Sequence, residues 1–204
     1  MATFESVRSA YAARVEEYVA VVGGISHVTD ADLALVTRWA LGIEGPVLDV
    51  GCGPGQWTHH LAGLGIDVEG VDPVPEFIAH ATATYPDERY RVGRAENLGA
   101  ADGALGGVLA WYSLIHIAPE RMGDALAEFA RCIRPGGGLA LGFFTGDERS
   151  PFDHAVTTAY YWPIDLLAAE VTAAGFAITH TESRTVRPDR THGALLAVRR
   201  PGDE

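Results

Sequence analysis

Val47-Leu48-Asp49-Val50-Gly51-Cys52-Gly53-Pro54-Gly55-Gln56 is the stretch from which the fold is read. A short apolar run broken only by Asp49 reads as a buried strand, and three alternating glycines turn it into a loop. Helix-compatible residues 56–64 follow, closed by Gly65. A backbone without Cβ atoms lets a ligand come close, and the helix N-terminus beyond it offers unpaired N–H groups. Seventeen residues after Gly55, Asp72 ends the run Val68-Glu69-Gly70-Val71. An acidic residue at the tip of a second strand is placed to accept both hydroxyls of a ribose.

Outward from this loop the pattern repeats. Ile66 to Val71 reads as a second strand, and Glu76 to Tyr85 as a helix stopped before Pro86. Tyr90-Arg91-Val92 is a weak third strand and Val108 to Tyr112 a fourth. Pro119 to Ile133 reads as a helix, followed by Pro135-Gly136-Gly137-Gly138 and a fifth strand from Leu139 to Phe144. Strand and helix alternating at this spacing predict a parallel sheet covered on both faces.

Upstream, Phe4, Val7, Tyr11, Val15, Tyr18 and Val22 recur at spacings of three and four, which predicts one helix over residues 3–21, ended by Gly23-Gly24. Thr29-Asp30 starts another, with Leu33, Val36, Trp39 and Ala40 on one side. After Thr145 the regularity fails, and residues 146–163 form a long aromatic-rich connection. Ile164 to Ala174 is a helix capped by Gly175; Phe176 to Ser183 and Ala194 to Arg199 are two last strands, with a polar loop between them at Arg184 to Gly193. No internal repeat or linker divides the chain, so one domain over residues 1–204 is expected.

Composition narrows the function. Among 204 residues, Lys plus Arg is 15 and Asp plus Glu 27, a formal charge of −12. Such a chain repels phosphate backbones, so no nucleic-acid partner is expected. All 15 basic residues are arginine, which removes Schiff-base, pyridoxal and P-loop lysine chemistry. Cys52 and Cys132 make no Cys-x-x-Cys spacing, so a zinc ribbon is out and two free thiols in a reducing compartment are expected. The first twenty residues lack a signal-peptide core, and no apolar run reaches the roughly 18 residues of a membrane span. The expectation is a soluble, cytoplasmic protein without a membrane partner, as a monomer or homodimer.

A dinucleotide fingerprint does not fit the glycine loop. Counting Gly-x-Gly-x-x-Gly/Ala from Gly51 ends on Gln56, and from Gly53 on Thr58, where a small residue is needed. The Asp49 carboxylate would repel a pyrophosphate and suit an ammonium, held directly or through water. An NAD(P)-dependent oxidoreductase is thus a weaker reading, and its Tyr-x-x-x-Lys pair cannot exist without lysine.

Val47 to Gly55 resembles motif I of the class I S-adenosylmethionine-dependent methyltransferases, in their small-molecule branch of the methyltransferase type 11 kind. Val68 to Pro73 resembles motif II, Gly93 to Leu98 the adenine-side loop, Val108 to Ile117 the strand-four motif, and Arg134 to Phe144 the segment entering strand five. Tyr11 and Tyr18 resemble an N-terminal aromatic pair of that branch. The resemblance implies a Rossmann-like α/β fold: a seven-stranded sheet in the order 3-2-1-4-5-7-6, strand seven antiparallel, with helices on both faces. It implies S-adenosylmethionine as cofactor and S-adenosylhomocysteine as product. The Gly51-Cys52-Gly53-Gly55 backbone, with Asp49 beside it, would hold the methionine part. Asp72 and Pro73 would lie at the ribose, Ala95 and Glu96 at the adenine, and Ala110, Trp111 and Tyr112 at the amino acid end. Two positions depart from the pattern. Arg94 stands where the adenine-side loop often has an acid, so Glu96 or backbone groups must read the adenine amine. Gly106-Gly107 replace an acid at the start of strand four, at the expense of local structure rather than of cofactor binding.

A sulfonium donor carries its own leaving group, so alignment and water exclusion do most of the work. His116, at the C-terminal edge of strand four, is the first candidate for a general base, and His154 a second. Phe152, Tyr160, Tyr161 and Trp162, with Tyr18, are expected to wall an acceptor pocket, residues 1–42 and 146–163 acting as its cover. The Tyr11 ring could close over the sulfonium. Adjacent His59 and His60 lack a spaced carboxylate, so no metal site is expected there. Trp39 and Trp57 read as core or interface, and His192 as a turn residue. The activity expected is methyl transfer to a small-molecule acceptor; the alternative is a non-catalytic S-adenosylmethionine-binding protein.

Overall fold

The computed structural model describes residues 4–187 and 190–202, with the side chains of Val22, Val186 and Arg187 left undescribed. Three N-terminal helices, α1 (Phe4–Ala12), α2 (Val15–Val22) and α3 (Asp30–Leu41), lead into the sheet. Then β1 (Val47–Val50), α4 (Gln56–Gly63), β2 (Val68–Asp72), α5 (Pro75–Thr84), β3 (Arg89–Val92) and β4 (Leu105–Trp111) alternate. They continue as α6 (Met122–Cys132), β5 (Ile133–Thr145), β6 (Ser150–Asp153), β7 (Thr158–Tyr161), α7 (Ile164–Ala173), β8 (Phe176–Arg187) and β9 (Arg190–Arg199).

The main sheet runs β3-β2-β1-β4-β5-β9-β8, and β6 with β7 forms a separate two-stranded ribbon. Counting main-sheet strands alone, the order is 3-2-1-4-5-7-6, as expected. β1 to β5 pair in parallel, and β9 runs antiparallel to both β5 and β8. The pleat sends alternate residues of β4 to opposite cores. Val108 and Ala110 face a core with Leu126 and Phe129 of α6 and Leu167 of α7. Leu109 and Trp111 face Val36 and Trp39 of α3 and Trp57 and Leu61 of α4. Trp39 and Trp57 are therefore core residues, and both cysteines are buried and free.

Four segments differ from the sequence reading. The single helix expected over residues 3–21 is two, broken at Ala13-Arg14; Thr3 lies outside the described residues. No glycine or proline marks the break. Arg14 leaves helical geometry at φ −129, binds Glu17, and donates to the Ala155 carbonyl of the ribbon, so a tertiary contact sets the bend. Both halves still turn their tyrosines inward, with the rings of Tyr11 and Tyr18 5.4 Å apart.

The connection at 146–163 is not irregular: it folds as the β6–β7 ribbon. Tyr160 N–H donates to Ile115 C=O and Trp162 N–H to Phe144 C=O, both at 2.9 Å, which sews it to the ends of β4 and β5. The polar segment Arg184 to Gly193 extends β8 and β9 instead of looping; Pro188 and Asp189 lie outside the described residues. The glycines before strand five belong to β5. A Cβ at Gly138 would meet Ile43 Cδ1 at 2.4 Å, so glycine there serves close packing and not a turn. Gly106 answers the same need. Its N–H donates to Pro46 C=O at 2.7 Å, and a Cβ would lie 2.1 Å from the Glu44 carbonyl oxygen.

Trp162 is 1% exposed within the core under α7. Trp162→Ala should lower the unfolding free energy by about 3–5 kcal/mol in urea titrations; a loss under about 1 kcal/mol would contradict this packing.

Candidate functional site

A cavity of about 640 Å³ opens at the C-terminal ends of β1, β2 and β4, walled on another side by α1 and α2. Ligands of open α/β sheets bind at this edge. The glycine loop forms its floor. Gly51 N–H donates to Val71 C=O at 2.7 Å, which folds the loop back on β2. Gly51 sits at φ +72, and a Cβ there would lie 2.2 Å from Ser113 Cβ. The position therefore demands glycine on two grounds.

Asp72 ties the loop to the next strand. Its Oδ2 accepts Gly53 N–H at 2.9 Å, and its Oδ1 accepts Val74 N–H at 2.8 Å. Burial pushes its carboxyl up to about 6, against the two amides that favour the charged form. Each oxygen keeps a lone pair for a further donor.

Gly51, Cys52, Gly53, Asp72, Pro73, Ala95, Glu96, Trp111 and Tyr112 all line the cavity. Asp49, Gly55 and Ala110 do not. Asp49 sits behind the loop, accepting the Thr58 hydroxyl at 2.7 Å, and clamps α4 to β1. Gly55 caps α4 at φ +91 against Ala81 and the Tyr90 hydroxyl. Ala110 points to the opposite face of the sheet, into the α6–α7 core. At the adenine-side loop Glu96 lies 3.6 Å from both Arg94 and Arg121. The Arg94 guanidinium stacks 3.5 Å from the Phe4 ring centroid, which docks α1 onto this end.

The other end carries histidines and tyrosines. His116 Nδ1 lies 2.8 Å from Thr158 C=O on β7, and its Nε2 lies 2.8 Å from the Tyr11 hydroxyl. A carbonyl only accepts, so the network assigns the proton to Nδ1 and leaves Nε2 to accept from Tyr11. Burial lowers the His116 pKa and raises that of Tyr11 well above the usual phenol range, so both are neutral. Tyr18, pushed up to about 12 by burial, packs beside Tyr11 and Phe77. His154 also lines the cavity, its ring 5.2 Å from that of His116.

The expected acceptor wall is built differently. Trp162 is in the core, and Tyr160 packs against that core. Phe152 stacks on Tyr161 at 4.2 Å and props Phe144 from behind; neither lines the cavity. The strand pairing of the ribbon turns these rings away, so a pocket wall of Phe152, Tyr160, Tyr161 and Trp162 is not what forms. Of the expected residues Tyr18 lines the cavity, and Phe144 lines it where the ribbon aromatics do not. His192 is no turn residue: it sits on β9 opposite Phe144, its Nδ1 2.7 Å from the Tyr112 hydroxyl. Tyr112 itself adopts φ +57, uncommon for a residue with a Cβ. His192, Phe77 and Asp32 carried no sequence signal, because their place depends on strand register and helix docking. His59 and His60 bind Glu88 and Thr37 separately. Among the described residues no cluster of three or more His, Cys, Asp or Glu could hold a metal, and no helix is long and apolar enough to cross a membrane.

Comparison with known proteins adds the family. A family model described as a methyltransferase domain matches residues 47–137, from β1 through the glycine loop and on into β5. The ubiquinone biosynthesis O-methyltransferase of Azorhizobium caulinodans is 30% identical over 171 residues, 74% of this chain and 66% of that protein. The chain belongs to the class I S-adenosylmethionine-dependent methyltransferases. An uncharacterized methyltransferase of Mycobacterium tuberculosis is 39% identical over 103 residues, 50% of this chain and 41% of that protein, so the match spans about two fifths of that relative. The methyltransferase fold is shared with the 1,6-didemethyltoxoflavin-N1-methyltransferase of Burkholderia thailandensis, whose structure holds 1,6-didemethyltoxoflavin and S-adenosylhomocysteine. That structure has a TM-score of 0.77 at 20% identity, over 98% of this chain and 92% of that one.

Burial pushes the Asp49 carboxyl of this methyltransferase up to about 7, from an ordinary 3.8. The folded protein therefore holds a proton that the unfolded chain releases. That contribution is complete at low pH and is lost as pH rises through about 7. Asp49→Asn keeps an acceptor for Thr58 without a charge to bury. In paired thermal melts the variant should gain on the parent between pH 5 and 8; a difference independent of pH would mean that Asp49 does not titrate there.

Proposed function

We propose that this methyltransferase moves the methyl group of S-adenosylmethionine to a small-molecule acceptor by in-line displacement, with His116 as base acting through Tyr11. The observation that carries the reading is the chain Tyr11 hydroxyl, His116 Nε2, His116 Nδ1, Thr158 carbonyl at the cavity wall. The Gly51–Gly53 backbone would hold the methionine part and Asp72 the ribose hydroxyls. Ala95 and Glu96 would flank the adenine, with Trp111 and Tyr112 near the amino acid end. The Tyr11 ring offers its face to the sulfonium.

In this scheme the acceptor oxygen or nitrogen attacks the methyl carbon, and the carbon–sulfur bonding pair returns to sulfur. The acceptor proton passes to the Tyr11 oxygen while the Tyr11 proton passes to His116 Nε2. The resulting imidazolium keeps its Nδ1–H on the Thr158 carbonyl. Such general-base help is worth about 10²–10⁴ in rate. The cover is residues 1–42 with the ribbon of segment 146–163, joined through Arg14 and the Ala155 carbonyl. A cavity of about 640 Å³ and a formal charge of −12 favour a compact acceptor over a protein or nucleic acid.

Calorimetry with S-adenosylhomocysteine tests the cofactor site, with NADH as the control. Micromolar binding of the first, none of the second, and loss in Asp72→Ala is the expected result; NADH binding would overturn the reading. Methyl-labelled S-adenosylmethionine in a cell extract should label low-mass compounds, not protein or nucleic acid. His116→Gln should cut that labelling rate about 100-fold and leave S-adenosylhomocysteine affinity unchanged; an unaltered rate would remove His116 from the proton path.

A further inference from the structure

We infer that His154 is a specificity-determining hydrogen-bond donor. Its Nε2–H holds an accepting atom of the methyl acceptor beside the atom that reacts, so the acceptor carries a carbonyl or ring nitrogen next to its hydroxyl or N–H. The inference rests on the methyl-transfer reading above and adds the acceptor's chemical class.

Two imidazoles of opposite tautomer meet in this corner. His116 has its proton on Nδ1, fixed by the Thr158 carbonyl, and presents Nε2 as an acceptor. His154 leaves the ribbon just after β6 and lines the same cavity. Its Nδ1 faces the Val156 N–H at 3.4 Å, a group that only donates. The proton of the neutral His154 ring is therefore on Nε2. Among the described residues no protein hydrogen bond engages that Nε2–H. The two rings lie 5.2 Å apart and nearly perpendicular, close enough to address neighbouring atoms of one small molecule.

The surroundings keep His154 uncharged. Burial, His116 and Arg190 together hold its pKa down to about 4. The Arg190 guanidinium lies 5.2 Å from the Phe144 ring and 5.4 Å from the Phe152 ring, the two aromatics that also contact His154. A neutral donor suits a site beside a sulfonium, where a second cation would be repelled.

The chemistry of such an acceptor fits the pair. A hydroxyl beside a carbonyl hydrogen-bonds to it internally and is a poor nucleophile. A donor on the carbonyl competes with that internal bond and favours the rotamer that turns the hydroxyl toward Tyr11. An acceptor without the second atom would forgo the hydrogen bond from Nε2–H, which is the basis of discrimination.

The test uses 2′-hydroxyacetophenone and its 4′ isomer as probes, on protein saturated with S-adenosylhomocysteine. The 2′ isomer should bind at least about 10-fold more tightly. His154→Phe, which preserves ring packing on Phe144 and Phe152, should erase the preference, while His154→Gln, with an amide donor, should restore part of it. Nitrogen-15 NMR of the labelled histidines should show His154 neutral and Nε2-protonated from pH 5 to 8. Equal binding of the isomers, binding of neither at millimolar concentration, a preference surviving in His154→Phe, or an Nδ1-protonated His154 would each overturn the inference. Those failures leave the methyl-transfer reading standing if S-adenosylhomocysteine still binds. Its failure to bind wild-type protein would overturn both.

Discussion

The site hangs on one carboxylate gripped by two backbone amides. Asp72 receives Gly53 N–H on one oxygen and Val74 N–H on the other, so the tips of β1 and β2 are fixed to each other before any ligand arrives. The bridge adds to the Gly51 N–H bond on the Val71 carbonyl in holding a loop whose Gly51, Gly53 and Gly55 all lie at positive φ. Behind it, Asp49 and Thr58 clamp the following helix to the strand. Two buried carboxylates thus stiffen a loop made of residues with little stiffness of their own. Burial raises both of them, which offsets part of what the hydrogen bonds contribute.

The roof is held by a different kind of contact. Phe4 on Arg94, Tyr11 on His116 and Arg14 on the Ala155 carbonyl are side-chain contacts reaching from the N-terminal helices to three separate parts of the chain. None of them is a core contact; α1 has no fully buried residue. The floor is tied by buried backbone and carboxylate bonds, the roof by a few side-chain contacts.

The sheet was legible because most of its parallel strands are short, largely apolar runs, β3 (Arg89–Val92) being the exception, and each crossover has a glycine or proline stop. Even the order of the strands followed once motif I was matched. Local signals failed where tertiary contacts decide. The α1–α2 break has no breaker residue, and the ribbon at 150–161 is held by backbone bonds from Tyr160 to Ile115, beyond β4, and from the adjoining Trp162 to Phe144 of β5. The same gap explains the site. Gly51, Gly53 and Asp72 belong to the matched motifs and line the cavity. Ala110 was misplaced because the pleat sends it to the far face, although its neighbour Trp111 reaches the cavity. Trp162 and Tyr160 were aromatic in the right segment but turn inward. His192 became visible only when the β5–β9 register set it opposite Phe144.

The atom that orients His116 belongs to the main chain. A side-chain partner for Nδ1 could be lost by one substitution, whereas the Thr158 carbonyl is there whatever residue occupies position 158. The ribbon can therefore accumulate changes in its side chains, His154 and its neighbours included, without disturbing the tautomer of His116. What can vary in this corner and what stays constant are separated by the difference between side chain and backbone.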